Sequence, residues 1–336
     1  MGQEIDEVDL ALLDALHLQP RVRFEELARV LDVSAVTVAR RWHRLSQDGR
    51  AWVSSAPGPR LGVCGGLLEA ECSPGQAAAV ADELARLPQV FSVHMTTGQH
   101  NVYALVATTD EAVLSELLVD RLPAMRGLRS LTTARVVHLF SGTRWRLGGI
   151  SATQAKAVTE EPAPAAARHD FDDFDRQLYM TLQYDGRLGL RDLAARVDRS
   201  PATVRKRLEI LTRARQLTFR TDFARPAAGW PANVVLKLRV GEGAAVSHVG
   251  RALVHWPETR LCADLVGGAA NLLVTAQLHE LAALDDLTAR LATEFPGVTV
   301  IDRRVLLRAV KSFGRLLGAD GRAHDVVPVN LWAPTA

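Results

Sequence analysis

Apolar residues recur along this chain in two alternating rhythms. In "IDEVDLALLDAL", from Ile5, the residues Val8, Leu12 and Leu16 fall at i, i+4 and i+8 and mark one face of a helix. In "FDDFDRQLYMTL", from Phe171, the residues Phe174, Leu178 and Leu182 do the same. The offset of 166 residues continues without a gap, so that "LARVLDVSAVTVARRWHRL" (Leu27 to Leu45) overlies "LAARVDRSPATVRKRLEIL" (Leu193 to Leu211). Each stretch predicts a short helix, a turn and a second helix. Ser34 and Ser200 are placed to cap the second helix, and Pro201 sits where a helix needs no N–H. Val38, Trp42 and Leu45 face inward in one copy, Val204, Leu208 and Leu211 in the other.

A period nearer two takes over after each helical unit. "LGVCGGLLEAEC", "VFSVHMTT", "NVYALVAT" and "LRSLTTARVVHLF" predict strands, with "PGQAAAVADELARLP" and "DEAVLSELLVDRLP" as helices between them. From Ala232 the same order returns: "ANVVLKLRV", "AAVSHVGRALVHWP", "TRLCADLV", "NLLVTAQL", "ELAALDDLTARLATEFP" and "VTVIDRRVLLRAV". Strand–helix–strand–strand–helix–strand implies an antiparallel sheet with two helices on one face, the ferredoxin-like arrangement. The fold class is α+β. The expected domains are a winged helix-turn-helix over 1–56, a βαββαβ unit over 60–142, a linker over 143–168, a second winged helix-turn-helix over 169–224, a second βαββαβ unit over 230–318 and a tail over 319–336. "SATQAKAVTEEPAPAAAR", from Ser151, is too rich in Ala, Pro and Glu to bury a core and reads as that linker.

Bulk composition narrows the chemistry. The net charge of the 336 residues is only +2, so any nucleic-acid argument must rest on local clusters. The three cysteines form no paired motif and suit a reducing compartment. The ten histidines show no metal-binding spacing, so no metal and no cofactor is expected. The acidic start "MGQEIDEVDL" has no apolar signal core, and no apolar run reaches membrane length. The expectation is a cytoplasmic protein without a membrane partner.

The helical unit has the layout by which one helix crosses a DNA backbone while the next enters the major groove. Ser34, Val36, Thr37, Arg40, Arg41 and Arg44 are the candidate DNA contacts of the first copy; Ser200, Ala202, Thr203, Lys206 and Arg207 are those of the second. Small residues allow approach to base edges, and arginines fork onto guanine or neutralise phosphate. Two unlike helices favour unlike half-sites. Arg215 stands where the first copy has Gly49, which suggests a different helix end and wing.

These motifs, from "VDLALLDAL" through "LARVLDVS" to "VARRWHRLSQDG", and again from Asp175 through "DGRLGLRDLAARVDRS" to "VRKRLEIL", resemble the Lrp/AsnC (feast/famine) family of transcriptional regulators. The resemblance implies a helix-turn-helix followed by a sensing and oligomerisation domain of the RAM (dimeric α-β barrel) type, here in tandem. Its partners would be double-stranded DNA, a small-molecule effector such as an amino acid, and further copies of the chain. The effector loops it implies are Gly98, Gln99, His100 and Asn101, and Gly268, Ala269, Ala270 and Asn271, with Asn in both at the family's Asp position. The function expected is sequence-specific DNA binding, no enzyme, and no catalytic residue. The siroheme decarboxylases share the two-domain plan and are the alternative. His94, His100 and Arg260 would then hold substrate carboxylates or donate a proton, and Asn101 and Asn271 resemble an Asn that those enzymes carry.

Overall fold

The computed structural model of the chain describes residues 5–141, 146–159 and 165–335. The first helical unit comprises α1 (Glu7–Leu18), α2 (Phe24–Leu31) and α3 (Ala35–Gln47), followed by strand β1 (Ala51–Pro57). The first βαββαβ unit is β2 (Cys64–Cys72), α4 (Ala77–Arg86), β3 (Val90–Thr96), β4 (Val102–Thr108), α5 (Glu111–Glu116) and β5 (Leu128–Ser141). A short helix α6 (Ala152–Val158) precedes the second helical unit, α7 (Asp173–Tyr184), α8 (Leu190–Arg196) and α9 (Pro201–Arg213), with strand β6 (Leu217–Phe223). The second βαββαβ unit follows as β7 (Ala232–Val240), α10 (Val246–Leu253), β8 (Thr259–Val266), β9 (Leu272–Leu278), α11 (Ala283–Glu294) and β10 (Val298–Ser312). The hairpin partners β11 (Arg315–Leu317) and β12 (Ala323–Val326) end the chain's regular structure.

The two sheets do more than pack against each other. Their strands run in the orders β3-β4-β2-β5 and β8-β9-β7-β10, all antiparallel. The last strand of each unit is long, 14 residues in β5 and 15 in β10, and reaches past its own sheet. β5 pairs with β8 and β10 with both β7 and β3, so eight strands close into one barrel with no free edge among them. Alternation sorts the side chains. Leu67, Tyr103, Val235, Leu261, Leu273 and Leu306 point into the barrel. Their neighbours Leu68, Val102, Val234 and Leu272 meet the helices outside.

Each helical unit has its own core. Leu12, Leu16, Leu27, Val38 and Leu45 are almost fully buried in the first, as are Leu178, Leu182, Leu193, Val204 and Leu211 in the second. Burying each such side chain contributes roughly 1.5–3 kcal/mol, and truncating Leu16 to Ala would cost ~2–5 kcal/mol. The strands after the units form no hairpin wings of their own. β1 and β6 pair with each other, Ala51 opposite Phe223 through Pro57 opposite Leu217. Arg215 does not alter the helix end as its bulk suggests. Its φ of 56° matches the 64° of Gly49. Gly49 is needed for a different reason: Ala323 N–H donates to its carbonyl at 2.8 Å, and a Cβ there would lie 2.0 Å from the Ala323 oxygen.

The expected linker is partly folded. Ala155 and Val158 of α6 are buried against the first helical core, and the Gln154 amide donates to the Val30 carbonyl. Apolar positions at this spacing were masked by the surrounding alanines and prolines. Residues 143–145 and 160–164 of that stretch lie outside the described residues.

Candidate nucleic-acid interface and ligand cavity

Ser34 Oγ accepts from the Thr37 N–H at 3.0 Å and Ser200 Oγ from the Thr203 N–H at 3.2 Å, so both serines cap their helices. Capping fixes the first turn of α3 and of α9, which leaves Val36, Pro201, Ala202 and Thr203 exposed to solvent. Arg40, His43, Arg205 and Lys206 are also exposed.

Three expected DNA contacts are engaged elsewhere. Arg41 bonds to Asp6 at 2.7 Å and to Asp9 at 2.9 Å, and Arg44 also pairs with Asp9. Arg207 repeats the pattern with Asp172 at 2.8 Å and Asp175 at 2.9 Å. Asp6 with Asp9, and Asp172 with Asp175, are the capping boxes of α1 and α7, which place carboxylates against α3 and α9 respectively. Asp9 and Asp175 are fully buried, so each requires a cation. A helical wheel shows these arginines as outward-facing; only the fold reveals the acidic caps beneath them. Burial raises the Asp175 pKa against the opposing pull of its hydrogen bonds and Arg207. Among the described residues, His169, Asp172 and Asp175 form the one cluster with metal-ligand proximity. Arg207 Nη1 already bonds to all three, at 2.8–3.0 Å, and fills the place of an ion. Arg50 and Arg220, on the same units, are buried.

The two expected effector loops are tight turns. Gly98 and Gly268 have φ of 88° and 119°. Asn101 Oδ1 accepts from Cys72 N–H at 3.0 Å, and Asn271 Oδ1 from Val240 N–H at 2.8 Å. Both amides therefore brace a neighbouring strand end, in matching positions of the two units. Gln99 bonds to Glu71, and the His100 carbonyl accepts from Thr96 and Arg304. Ala269 is exposed and Ala270 buried. The structure thus turns these residues to local bracing rather than to an open seat.

A cavity that sequence reading missed lies where the β1–β6 ribbon meets one mouth of the barrel. It has a volume of ≈ 90 Å³ and is lined by Trp52, His94, Arg225, Trp230, Asn233 and Arg308, among others. Asp222, nearly fully buried, anchors it: Arg220 donates at 3.0 Å, Arg225 at 3.1 Å and Ser312 Oγ at 2.9 Å, with Arg260 4.0 Å away. Burial opposes ionisation of Asp222, but Arg225, Arg220 and Arg260 together hold its carboxyl far below the usual range. Burial, with Arg225 adding to it, pushes the His94 pKa down to about 3, so the ring is neutral. Gln277 fixes the floor by donating to the carbonyls of Trp230 and Ala232 at 2.7 and 3.0 Å. Of the residues considered for an enzyme, His94 and Arg260 meet at this cluster, and His100 does not. The clue in the sequence was "FRTDFAR", three charges threaded through an apolar strand.

Two helix-turn-helix units on a closed antiparallel barrel define a duplicated DNA-reader architecture. The AsnC-type helix-turn-helix domain family matches residues 5–46 and again 171–212, and the Lrp/AsnC ligand-binding domain family matches 67–145. The chain thus carries two AsnC-type helix-turn-helix domains and an Lrp/AsnC ligand-binding domain. It is 27% identical over 134 residues to an uncharacterised HTH-type transcriptional regulator of Pyrococcus abyssi, which is 39% of this chain and 85% of that protein. It is 22% identical over 137 residues to the HTH-type transcriptional regulator LrpA of the same organism, covering 40% and 97%. A solved structure of the siroheme decarboxylase NirDL covers 91% of this chain and 93% of its own, with a TM-score of 0.57 and 17% identity. A second NirDL structure, in complex with an iron-uroporphyrin III analogue, matches with a TM-score of 0.58 and 16% identity. The expectation that the chain is no enzyme therefore fails: taken whole, this two-copy fold is one that carries an enzyme. No helix among the described residues is long and apolar enough to cross a membrane.

Proposed function

We propose that the protein is a cytoplasmic, DNA-binding transcriptional regulator of the Lrp/AsnC type whose barrel half takes a small-molecule effector. The observation that carries this reading is the paired presentation of α3 and α9. Both are capped by serine at the same position, and both leave a small-residue first turn open to solvent. Ser34, Val36, Thr37 and Arg40 on one side, and Ser200, Ala202, Thr203, Arg205 and Lys206 on the other, are the groups offered to a duplex. The faces are unequal. Val36 and Thr37 suit a thymine methyl, whereas Arg205 and Lys206 suit phosphate or guanine. An operator with unlike half-sites follows. Selection of bound fragments from a random duplex library, followed by titration in salt, tests this. An enriched motif with a falling affinity at high salt is expected, and binding with no sequence preference overturns the reading.

A second reading is supported by the cavity. Arg225 and Arg308 beside the neutral His94 ring would receive one carboxylate arm of a tetrapyrrole whose macrocycle stays outside the ≈ 90 Å³ cavity, and would supply a proton position there, as the NirDL likeness suggests for this fold. Anaerobic incubation with siroheme distinguishes it: a shifted absorption band with release of carbon dioxide supports the enzyme, and an unchanged spectrum with no gas removes it.

A further inference from the structure

We propose that the cavity between the wing ribbon and the barrel mouth is a binding site for a small aromatic monocarboxylate. This goes beyond the regulatory reading, since the site is complete without DNA.

Size comes first. The volume of ≈ 90 Å³ is several times the ~10–15 Å³ that one water needs, so the site admits a small molecule and excludes a large one.

Polarity comes next. Trp52 Nε1, His94 Nδ1 and Asn233 Oδ1 are buried polar atoms with no hydrogen-bond partner among the described residues, and all three residues line this one cavity. Trp52 is 5% exposed and His94 is 8% exposed, so neither is served by open solvent. Buried polar groups are nearly always satisfied. The indole N–H, and His94 Nδ1 in its N–H tautomer, point to an occupant that accepts from both, while Asn233 can turn its amide nitrogen toward the same acceptor. Indole can only donate, so the occupant must bring an acceptor.

Charge then fixes what that acceptor is. Arg225 and Arg308 both line the cavity, and Arg308 has no ion-pair partner among the described residues. The carboxylate nearby, Asp222, already accepts from Arg220, Arg225 and Ser312. Arg225 keeps its Nε unbonded. A planar carboxylate matches the guanidinium fork and the indole N–H together. A phosphate dianion fits less well, because Asp222 would repel its second charge.

Shape selects the rest of the molecule. Trp52, Trp230 and Phe223 present flat apolar walls, closed at the rim by Pro226 and Pro231. Trp230 is itself held by His279, whose ring centre lies 3.6 Å away. Flat walls with polar groups at one end receive an aromatic ring bearing one acid group. The site also draws on both the ribbon and the barrel. β1 supplies Trp52, β6 supplies Asp222 and Phe223, and the barrel supplies His94, Asn233 and Arg308. An occupant would therefore bridge ribbon and barrel.

The test uses the full chain with two isosteric probes, benzoate and its neutral counterpart benzamide, followed by calorimetry and tryptophan fluorescence. Benzoate is expected to bind at least about tenfold tighter than benzamide, the worth of a charge-assisted hydrogen bond. Arg308→Gln, at an exposed side chain, should weaken benzoate by about tenfold while leaving the melting temperature unchanged. Trp52→Phe should weaken benzoate without abolishing the apolar contact. Equal affinity for the two probes, no binding of either, or full benzoate affinity in Arg308→Gln overturns the proposal. DNA binding by the same preparation, measured separately, reports on the regulatory reading alone.

Discussion

Arg21 and Arg187 each hold the loop that carries the other. The Arg21 guanidinium donates to the carbonyls of Gly186 and Leu188, the latter at 3.2 Å. Arg187 donates to those of Pro20 at 2.6 Å and Val22 at 2.8 Å. The two arginines occupy the same position in the repeat, so the bonds cross an internal pseudo-two-fold axis. Four carbonyls at loop ends are thereby satisfied without water. Burial lowers the pKa of both arginines, that of Arg187 to about 10. The two helical units are thus locked side by side by a reciprocal contact between the repeats.

Removing either arginine should loosen that lock. Arg21→Ala is expected to cost about 1–3 kcal/mol, the penalty of orphaned buried carbonyls. Arg187→Ala should cost more, because Arg187 lies over the Phe24 ring at 4.4 Å and near the Trp42 ring at 5.7 Å, whereas Arg21 lies over the Phe219 ring alone, at 4.9 Å. Denaturant unfolding of the two single variants and the double variant checks this. A double variant less destabilised than the sum is expected, since the pair acts as one contact.

Basic residues of α9 should separate by role. Arg205→Ala and Lys206→Ala should each reduce the salt slope of DNA binding by about one and leave stability unchanged. Arg207→Ala should instead destabilise the second helical unit by ~2–4 kcal/mol, since it strands the buried Asp175 carboxylate. Salt titrations and thermal melts of the three variants decide the matter. Equal behaviour of all three in both assays would refute the division.

Acid should weaken the fold before most carboxylates titrate. Burial holds both His17 and His94 at a pKa of about 3, against 6.5 when unfolded. Between those values the unfolded chain binds protons that the folded chain does not. Stability is therefore full above pH 6.5 and falls as the pH drops toward 3, by about 1.4 kcal/mol per histidine for each pH unit. Denaturation midpoints at neutral and mildly acidic pH measure the slope, and His17→Phe should flatten it by about half.

The chain's last segment straps the second helical unit to the first sheet. Trp332 stacks on Phe171 with ring centres 5.2 Å apart and meets Tyr179 edge-on at 5.3 Å. Gln89 of the first βαββαβ unit donates to the carbonyls of Ala333 and Pro334. Trp332→Ala is expected to cost about 3 kcal/mol or more and to expose α7 to proteolysis. Limited digestion with mapped cleavage sites checks it; unchanged protection would show that the strap carries no load.

Element order was legible because each element is a local matter. Ser34 and Ser200, the apolar triads of α1 and α7, and the alternation in β2 to β5 each act within a few residues. The barrel was partly hidden, since nothing in β5 or β10 alone states which strand lies beyond its end. The cavity was illegible for the same reason. Trp52, His94 and Arg225 lie in different segments, and only strand pairing brings them together. Arg41 and Arg207 misled because their periodicity is that of an exposed face, while their partners sit on another helix.

A homodimer must repeat every chemical group on both sides of its axis, whereas a fused pair need not. Where one half of this barrel places Trp52 and His94, the matching positions of the other hold Thr218 and Asp264. Covalent closure has thus released the halves from mutual copying. A molecule with two helix-turn-helix units can then bear, in one half, a cavity that the other half does not repeat.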